Sequence, residues 1–370
     1  MKDKINEKMD KKSLIIAGVF LVSIVIILFG GALIYNKFFY KKTYSEVETI
    51  MLEAAKAHFE KNEEKLPNNI NDTITLTDSD LVKAEEMNSI ASYLKDENTS
   101  CEGEVTVTNI NGNYRYTSIL DCGENSYQTK KLLDYINDYV TPVTSGNGLY
   151  ELNNELVYRG DDVDNYIKLG DITYRIVKYT DGKPVIIYTG KEYSSVWDDR
   201  YNIEREDTSG INDYKVSRIK EYLNNLYDGS TFLSKENKLL VTQHDLAIGK
   251  RSNADNDKTG SLEKSEIIEG EYVGLLPLND YLNASLDANC TQTDSRSCFN
   301  YNYLSKYKYN WWTMTANSKS TYKTYRINGS GSANATMTNG NGYVRPVLYL
   351  ASDTIYVLGN GSKNNPFIVR

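Results

Sequence analysis

The sequence predicts an α+β fold carried behind a single N-terminal transmembrane helix, and three observations lead there. Residues 14–35, LIIAGVFLVSIVIILFGGALIY, run for 22 positions without a charge, and about 20 apolar residues suffice for a helix to cross a bilayer. Residues 101–122 alternate on both sides of Asn111-Gly112, the signal of a two-residue β-hairpin. From Tyr158 onward, short β-rich runs are broken by turn clusters and by two amphipathic stretches, which predicts a mainly antiparallel-β unit with two helices.

Taken in order, residues 1–13 form a tail and residues 14–35 the span. Five lysines precede the span and three follow closely, at Lys37, Lys41 and Lys42, so the positive-inside rule favours a cytoplasmic N-terminus. All four cysteines lie beyond the span in two close pairs, as expected of disulfides in an oxidising space. The expected location is therefore the cell membrane, single-pass, with the C-terminal bulk extracellular. The 370 residues carry a net charge of -8 and no long basic run, which argues against nucleic acid as a partner.

A small α/β domain is expected over 43–135. Val47, Ile50, Met51, Ala54 and Ala57 fall at helical spacing, and Ser45 with Glu48 reads as a capping box. A short strand and helix follow in ITLTDSDLVKA, then the hairpin. With a type I′ turn at Asn111-Gly112, opposed residues sum to a constant: Ile110 faces Asn113, Val107 faces Tyr116, and Cys101 faces Cys122. Directly opposed strand positions satisfy the geometry of a disulfide. A helix that continues a span and packs on a small sheet resembles the pilins and pseudopilins, although the prepilin cleavage motif is absent here. Residues 136–152 read as a linker rich in Thr, Ser and Gly, and 153–370 as the larger domain. There one helix presents Val216, Ile219, Tyr222, Leu223 and Leu226 on one face, and a second lies in LPLNDYLNAS. Cys290 and Cys298 bracket a surface loop and are expected to pair.

Candidate chemistry is sparse. In DNDKTGSLEKSE, the residues Asp255, Asp257, Thr259, Ser261 and Glu266 fall at the ligand positions of a twelve-residue calcium loop around Gly260, the arrangement of hard oxygens that Ca²⁺ requires. An acidic loop facing water accounts for the same residues, and no helix clearly enters it. Trp311 and Trp312 offer a ligand platform, yet neighbours on a strand point to opposite faces, so at least one belongs to a core. Arg345 either pairs with an acid inside the fold or faces a ligand. His244 stands beside Asp245 as the larger domain's only histidine, which reads more readily as structural than as a catalytic base. No phosphate-cradling glycine loop, HExxH or CxxC occurs.

The blocks YRGDDVDNYIKLGDITYRIV, YVGLLPLNDYL, WWTMT, YVRPVLYL and GNGSKNNPFIV, in that order, resemble an uncharacterised domain family on surface proteins of low-GC Gram-positive bacteria. The Trp-Trp block and the closing strand with Arg-Pro also resemble the C-type-lectin-like fold shared with formylglycine-generating enzymes. The calcium-binding triplets of sugar-binding lectins are missing. What the resemblance implies is a membrane-anchored, non-catalytic surface protein for binding or adhesion, its ligand a glycan or a protein. The alternatives are a pseudopilin-like component of an envelope assembly and, less favoured, an extracellular enzyme.

Overall fold

The computed structural model describes residues 41–94, 100–124 and 126–370. The run 14–35 and the tail before it lie outside these residues. Among the described residues no helix is long and apolar enough to cross a membrane. The expected fold class is corrected accordingly: the described chain is α+β with mostly antiparallel strands and seven α-helices, and no spanning helix belongs to it.

The first unit is built on α1 (Tyr44–Glu60). Its N-cap is Thr43, whose hydroxyl accepts from the Glu46 amide while the Glu46 carboxylate accepts from the Thr43 amide. The capping box thus sits two residues before the one expected at Ser45 and Glu48. Glu48, three, seven and eleven residues before the buried Met51, Ala55 and Phe59, faces inward with them, and its carboxylate accepts from Tyr127, Thr129 and Arg370. Val47, Met51, Ala54, Ala55 and Phe59 are buried, and the helix packs on β2 and β3. The chain continues through β1 (Thr73–Thr77), α2 (Asp78–Lys83), α3 (Ile90–Tyr93), β2 (Glu102–Ile110) and β3 (Asn113–Asp121). These strands form an antiparallel sheet in the order β1-β2-β3.

The hairpin is the one the turn chemistry requires. Asn111 (φ 51°) and Gly112 (φ 82°) are both left-handed, as a type I′ turn demands of its two central residues. Ile110 pairs with Asn113 and Val107 with Tyr116, and at the open end Cys101 and Cys122 are disulfide-bonded with Cα atoms 4.1 Å apart.

The larger unit gathers one hydrophobic core reaching from Leu132 to Phe367. Four α-helices surround it: α4 (Leu132–Tyr139), before residue 153, and within 153–370 three where two were expected, α5 (Arg218–Asp228), α6 (Lys235–Lys238) and α7 (Leu278–Asn283). A one-turn helix such as α6, capped by Ser234, is too short to leave a periodic signal. Leu132, Ile136 and Leu149, flanking the Thr/Ser/Gly-rich turn, are buried in this core.

Its main sheet has nine strands. Five come early: β4 (Gly148–Leu152), β5 (Glu155–Arg159), β6 (Tyr166–Leu169), β7 (Ile172–Thr180) and β8 (Lys183–Tyr188); β9 (Ser194–Val196), next in the chain, lies in a separate sheet. Strands β10 (His244–Ala247) and β11 (Ile267–Glu271) pair with each other, and β12 (Val273–Gly274) follows. The meander supplies β13 (Trp311–Ala316), β14 (Lys323–Ile327), β15 (Ala333–Met337) and β16 (Asn341–Tyr343). Last come β17 (Val347–Tyr349), β18 (Tyr356–Leu358) and β19 (Phe367–Val369). The nine-stranded sheet runs β12-β17-β8-β7-β6-β19-β18, with β5 also on β7 and β4 on β5; a five-stranded sheet runs β15-β14-β13-β16-β9. Two pairings are parallel, β19 with β6 and β13 with β16.

Both units are tied together. Arg115 of β3 donates from Nη2 to both oxygens of Asp353 at 2.7 Å and from Nη1 to the Leu239 carbonyl, the first a charge-assisted hydrogen bond shared between two oxygens. Arg370 donates to Glu48 and to the Ser118 hydroxyl. Backbone hydrogen bonds join Leu132 to Thr354 and Tyr356 to Lys130.

Candidate functional site

A cavity of ≈ 400 Å³ opens where the β4–β5 turn, the end of β7, β10, the acidic loop, the start of α7 and β17 converge. Strand pairing places its first wall. Leu156 and Val157 pair with Tyr179 and Lys178, which sets Glu155 beside Lys178 and Thr180. Glu155 accepts from the Lys178 ammonium at 3.0 Å and from the Thr180 hydroxyl at 2.9 Å. The second wall is α7, which follows Pro277; a proline there needs no amide partner. Its Asp280 accepts from the same Lys178 ammonium at 3.0 Å.

Lys178 therefore bridges two carboxylates inside the protein. Its side chain is 10% exposed, and those of Glu155 and Asp280 are 17% and 6% exposed. Burial raises the Asp280 carboxyl above its ordinary value, with the Lys178 charge opposing. Burial alone would lower Lys178, but Asp280, Tyr349 and Glu155 outweigh it and hold the ammonium above its ordinary value. Asp280 Oδ2 and Asn279 Oδ1, both buried in this wall, have no hydrogen-bond partner. A buried acceptor left unpaired is costly and calls for an explanation.

The lining beside Lys178 is aromatic. The His244 imidazole stacks on Tyr349 with ring centroids 3.8 Å apart. Burial, reinforced by Lys183 and Lys178, pushes the imidazole down to about 4, against Asp181 and Asp245, so it is neutral at pH 7. The Asp245 carboxylate accepts from the Gly270 amide.

The residues suggested for calcium are placed differently from a coordination sphere. Arg251, fully buried, enters the loop: Nη1 reaches both oxygens of Glu263 at 3.2 and 3.1 Å, and Nη2 donates to the Asp257 carbonyl at 2.6 Å. Asp257 accepts from the Thr259 hydroxyl and amide and from the Leu262 amide. Burial works against its ionisation, yet these bonds and the Arg251 charge hold it below its ordinary value. Asp255 accepts from the Ser252 amide, the Ser261 amide donates to Thr259, and Glu266 turns away to Lys215 at 2.9 Å. Among the described residues no group of three or more His, Cys, Asp or Glu is arranged to hold a metal ion. A guanidinium organises this loop.

Trp311 and Trp312 do lie on opposite faces of β13, but both faces are covered and both rings are 0% exposed. Trp311 meets Tyr281 edge-on and lies 4.8 Å from the Arg345 guanidinium; Trp312 donates to the Ser195 carbonyl. Neither ring presents a face to a ligand. Arg345 is buried between Tyr307 and Trp311 and donates to the Tyr188 carbonyl. Cys290 and Cys298 are disulfide-bonded. Sequence reasoning missed Lys178, Glu155, Asn279 and Asp280; the one signal it offered was a pair of cations, Arg175 and Lys178, inside the strand-like run YRIVKY, with acids elsewhere to neutralise them.

Residues 191–352 match the model of a family described as a domain of unknown function, DUF6273. The match takes in YVGLLPLNDYL, WWTMT and YVRPVLYL and leaves out the blocks at 158–177 and 359–369. The cavity straddles its edge, with Glu155 and Lys178 outside it and His244, Asp280 and Tyr349 inside. No curated protein and no solved structure matches the chain.

Proposed function

We propose that the protein is a cell-surface binding or adhesion module that takes a small polar ligand, of the size of one or two sugar residues, into the cavity beside α7. The observation that carries this reading is the cavity itself. Its ≈ 400 Å³ fall within the range of about 300–1,000 Å³ usual for ligand sites. An aromatic stack at His244 and Tyr349 faces amide and hydroxyl groups from Asn153, Thr180 and Asn279, the mixture that recognises hydroxylated rings. A surface location is supported by two disulfides among the described residues, since such bonds persist in oxidising compartments. The order of the WW, VRPV and NPF blocks, which resembles surface proteins of low-GC Gram-positive bacteria, supports it too. Binding fits better than catalysis here because His244 is stacked and neutral, and Asp245 is bonded to a backbone amide rather than to the imidazole.

The test is a glycan array probed with the purified full-length protein, followed by titration of each hit against His244→Ala and Thr180→Ala. At least tenfold weaker binding in both variants is the expected result. Hits that survive both substitutions, or an array with none, overturn the cavity as a glycan site. Protease treatment of intact cells checks the location: loss of the protein supports an outward-facing chain, and full protection removes the surface reading.

A further inference from the structure

Lys178, Asp280 and Glu155 form a closed group in which one ammonium nitrogen touches an oxygen of each of two carboxylates. The Lys178 Nζ lies 3.0 Å from Asp280 Oδ1 and 3.0 Å from Glu155 Oε2. Three different elements deliver these side chains: a central strand, a helix and the strand paired beside Lys178. Nothing has to move far for the nitrogen to meet the carboxyl carbon.

We propose that Lys178 and Asp280 join through an intramolecular isopeptide bond, with Glu155 as the proton shuttle. The step balances without a co-reactant. The ammonium gives up one proton to the Asp280 carboxyl, the neutral amine attacks Cγ to form a tetrahedral centre, and Glu155 takes a second proton from the nitrogen; with both protons delivered to Oδ2, the Cγ–Oδ2 bond breaks, Oδ2 leaves as water and the Cγ–Oδ1 double bond re-forms. An ammonium and a carboxylate together become one amide and one water. In open solution the two ions are favoured because water solvates them; here burial costs that solvation, and what still favours the ions is their mutual attraction, which keeps the two groups in contact. Holding the partners in contact supplies the effective concentration that a bimolecular condensation lacks.

Two further observations fit. Asp280 Oδ2 is buried without a partner, and it is the atom the reaction expels. The adjoining cavity gives the released water a way out. The inference is independent of any ligand and stands whether or not the cavity binds a glycan.

Intact-mass spectrometry of the full-length protein, reduced and unfolded, tests it. Most wild-type molecules are expected to weigh one water less than the sequence requires, and Lys178→Arg to regain that water after allowing for the substitution. Tryptic digestion is expected to leave the bond after Lys178 uncut and to yield joined peptides carrying Lys178 and Asp280. In Glu155→Gln most molecules are expected to stay unjoined. A wild-type mass with the full water overturns the bond whatever the variants do. Water lost without a joined peptide also overturns it, because that marks an imide at Asp280 alone. Full joining in Glu155→Gln overturns the role of Glu155.

Discussion

Arg251 and His244 show what single residues contribute here. Arg251 is 0% exposed and its partner Glu263 1% exposed, so truncating the arginine strands a carboxylate in the core. Arg251→Ala is expected to lower unfolding stability by about 3–5 kcal/mol, read from the denaturant midpoint. The acidic loop takes its positive charge from this guanidinium, so chelator is expected to leave the melting temperature of the wild type unchanged; a fall that calcium restores contradicts that assignment. His244 gives a pH signature. Its folded value of about 4 lies below the ordinary 6.5. The unfolded chain therefore takes up a proton first as pH falls, and stability contributed above pH 6.5 is lost progressively down to about 4. Lys183, Lys178, Asp181, Asp245 and Tyr349 face the ring, and His244→Phe is expected to flatten that part of the melting-temperature profile. At this scale the sequence is ambiguous for a physical reason. Acids spaced to surround Ca²⁺ are equally suited to surround a guanidinium, and only the fold brings Arg251 among them.

At the scale of elements, local geometry was readable and contact between distant segments was not. Asn111-Gly112 sets the β2–β3 register, so the Cys101–Cys122 bond follows from one turn. The pairing of β5 with β7 is fixed by no such turn across the 12 residues between them, and with it the positions of Glu155 and Lys178 stayed hidden. α1 shows a smaller error: its apolar stripe was visible, but the capping box read at Ser45 and Glu48 is formed by Thr43 and Glu46, and Glu48 is buried instead. The hairpin disulfide spans a separation of 21 residues. Replacing both cysteines by serine is expected to cost about 3 kcal/mol by the loop-entropy relation, measured by equilibrium unfolding under non-reducing conditions. The Cys290–Cys298 bond closes a shorter loop, separation 8, and its removal is expected to cost less.

Across the whole molecule, two hydrophobic cores meet through polar contacts. Arg115 clasps Asp353, and Arg370 reaches Glu48. An interface of ion pairs and few backbone bonds holds two units in register without merging them. The double variant Arg115→Ala/Arg370→Ala is expected to split one calorimetric transition into two, the smaller unit melting first. A single transition in the double variant shows that other contacts suffice to couple them. The composition that argued against nucleic acid says nothing of this seam, because arginine and glutamate are ordinary surface residues until a fold buries them.

The parallel pairing of β19 with β6 has a consequence for how the protein is made. Phe367 lies against Ile167, two hundred positions upstream, so one edge of β6 waits unpaired while nearly the whole larger unit is translated. Folding dominated by such distant partners is slow and leaves edges open to wrong neighbours. The nascent chain thus depends on whatever shields that edge until Phe367–Val369 emerge. A message truncated just before them leaves a product in which β6 keeps an unpaired edge.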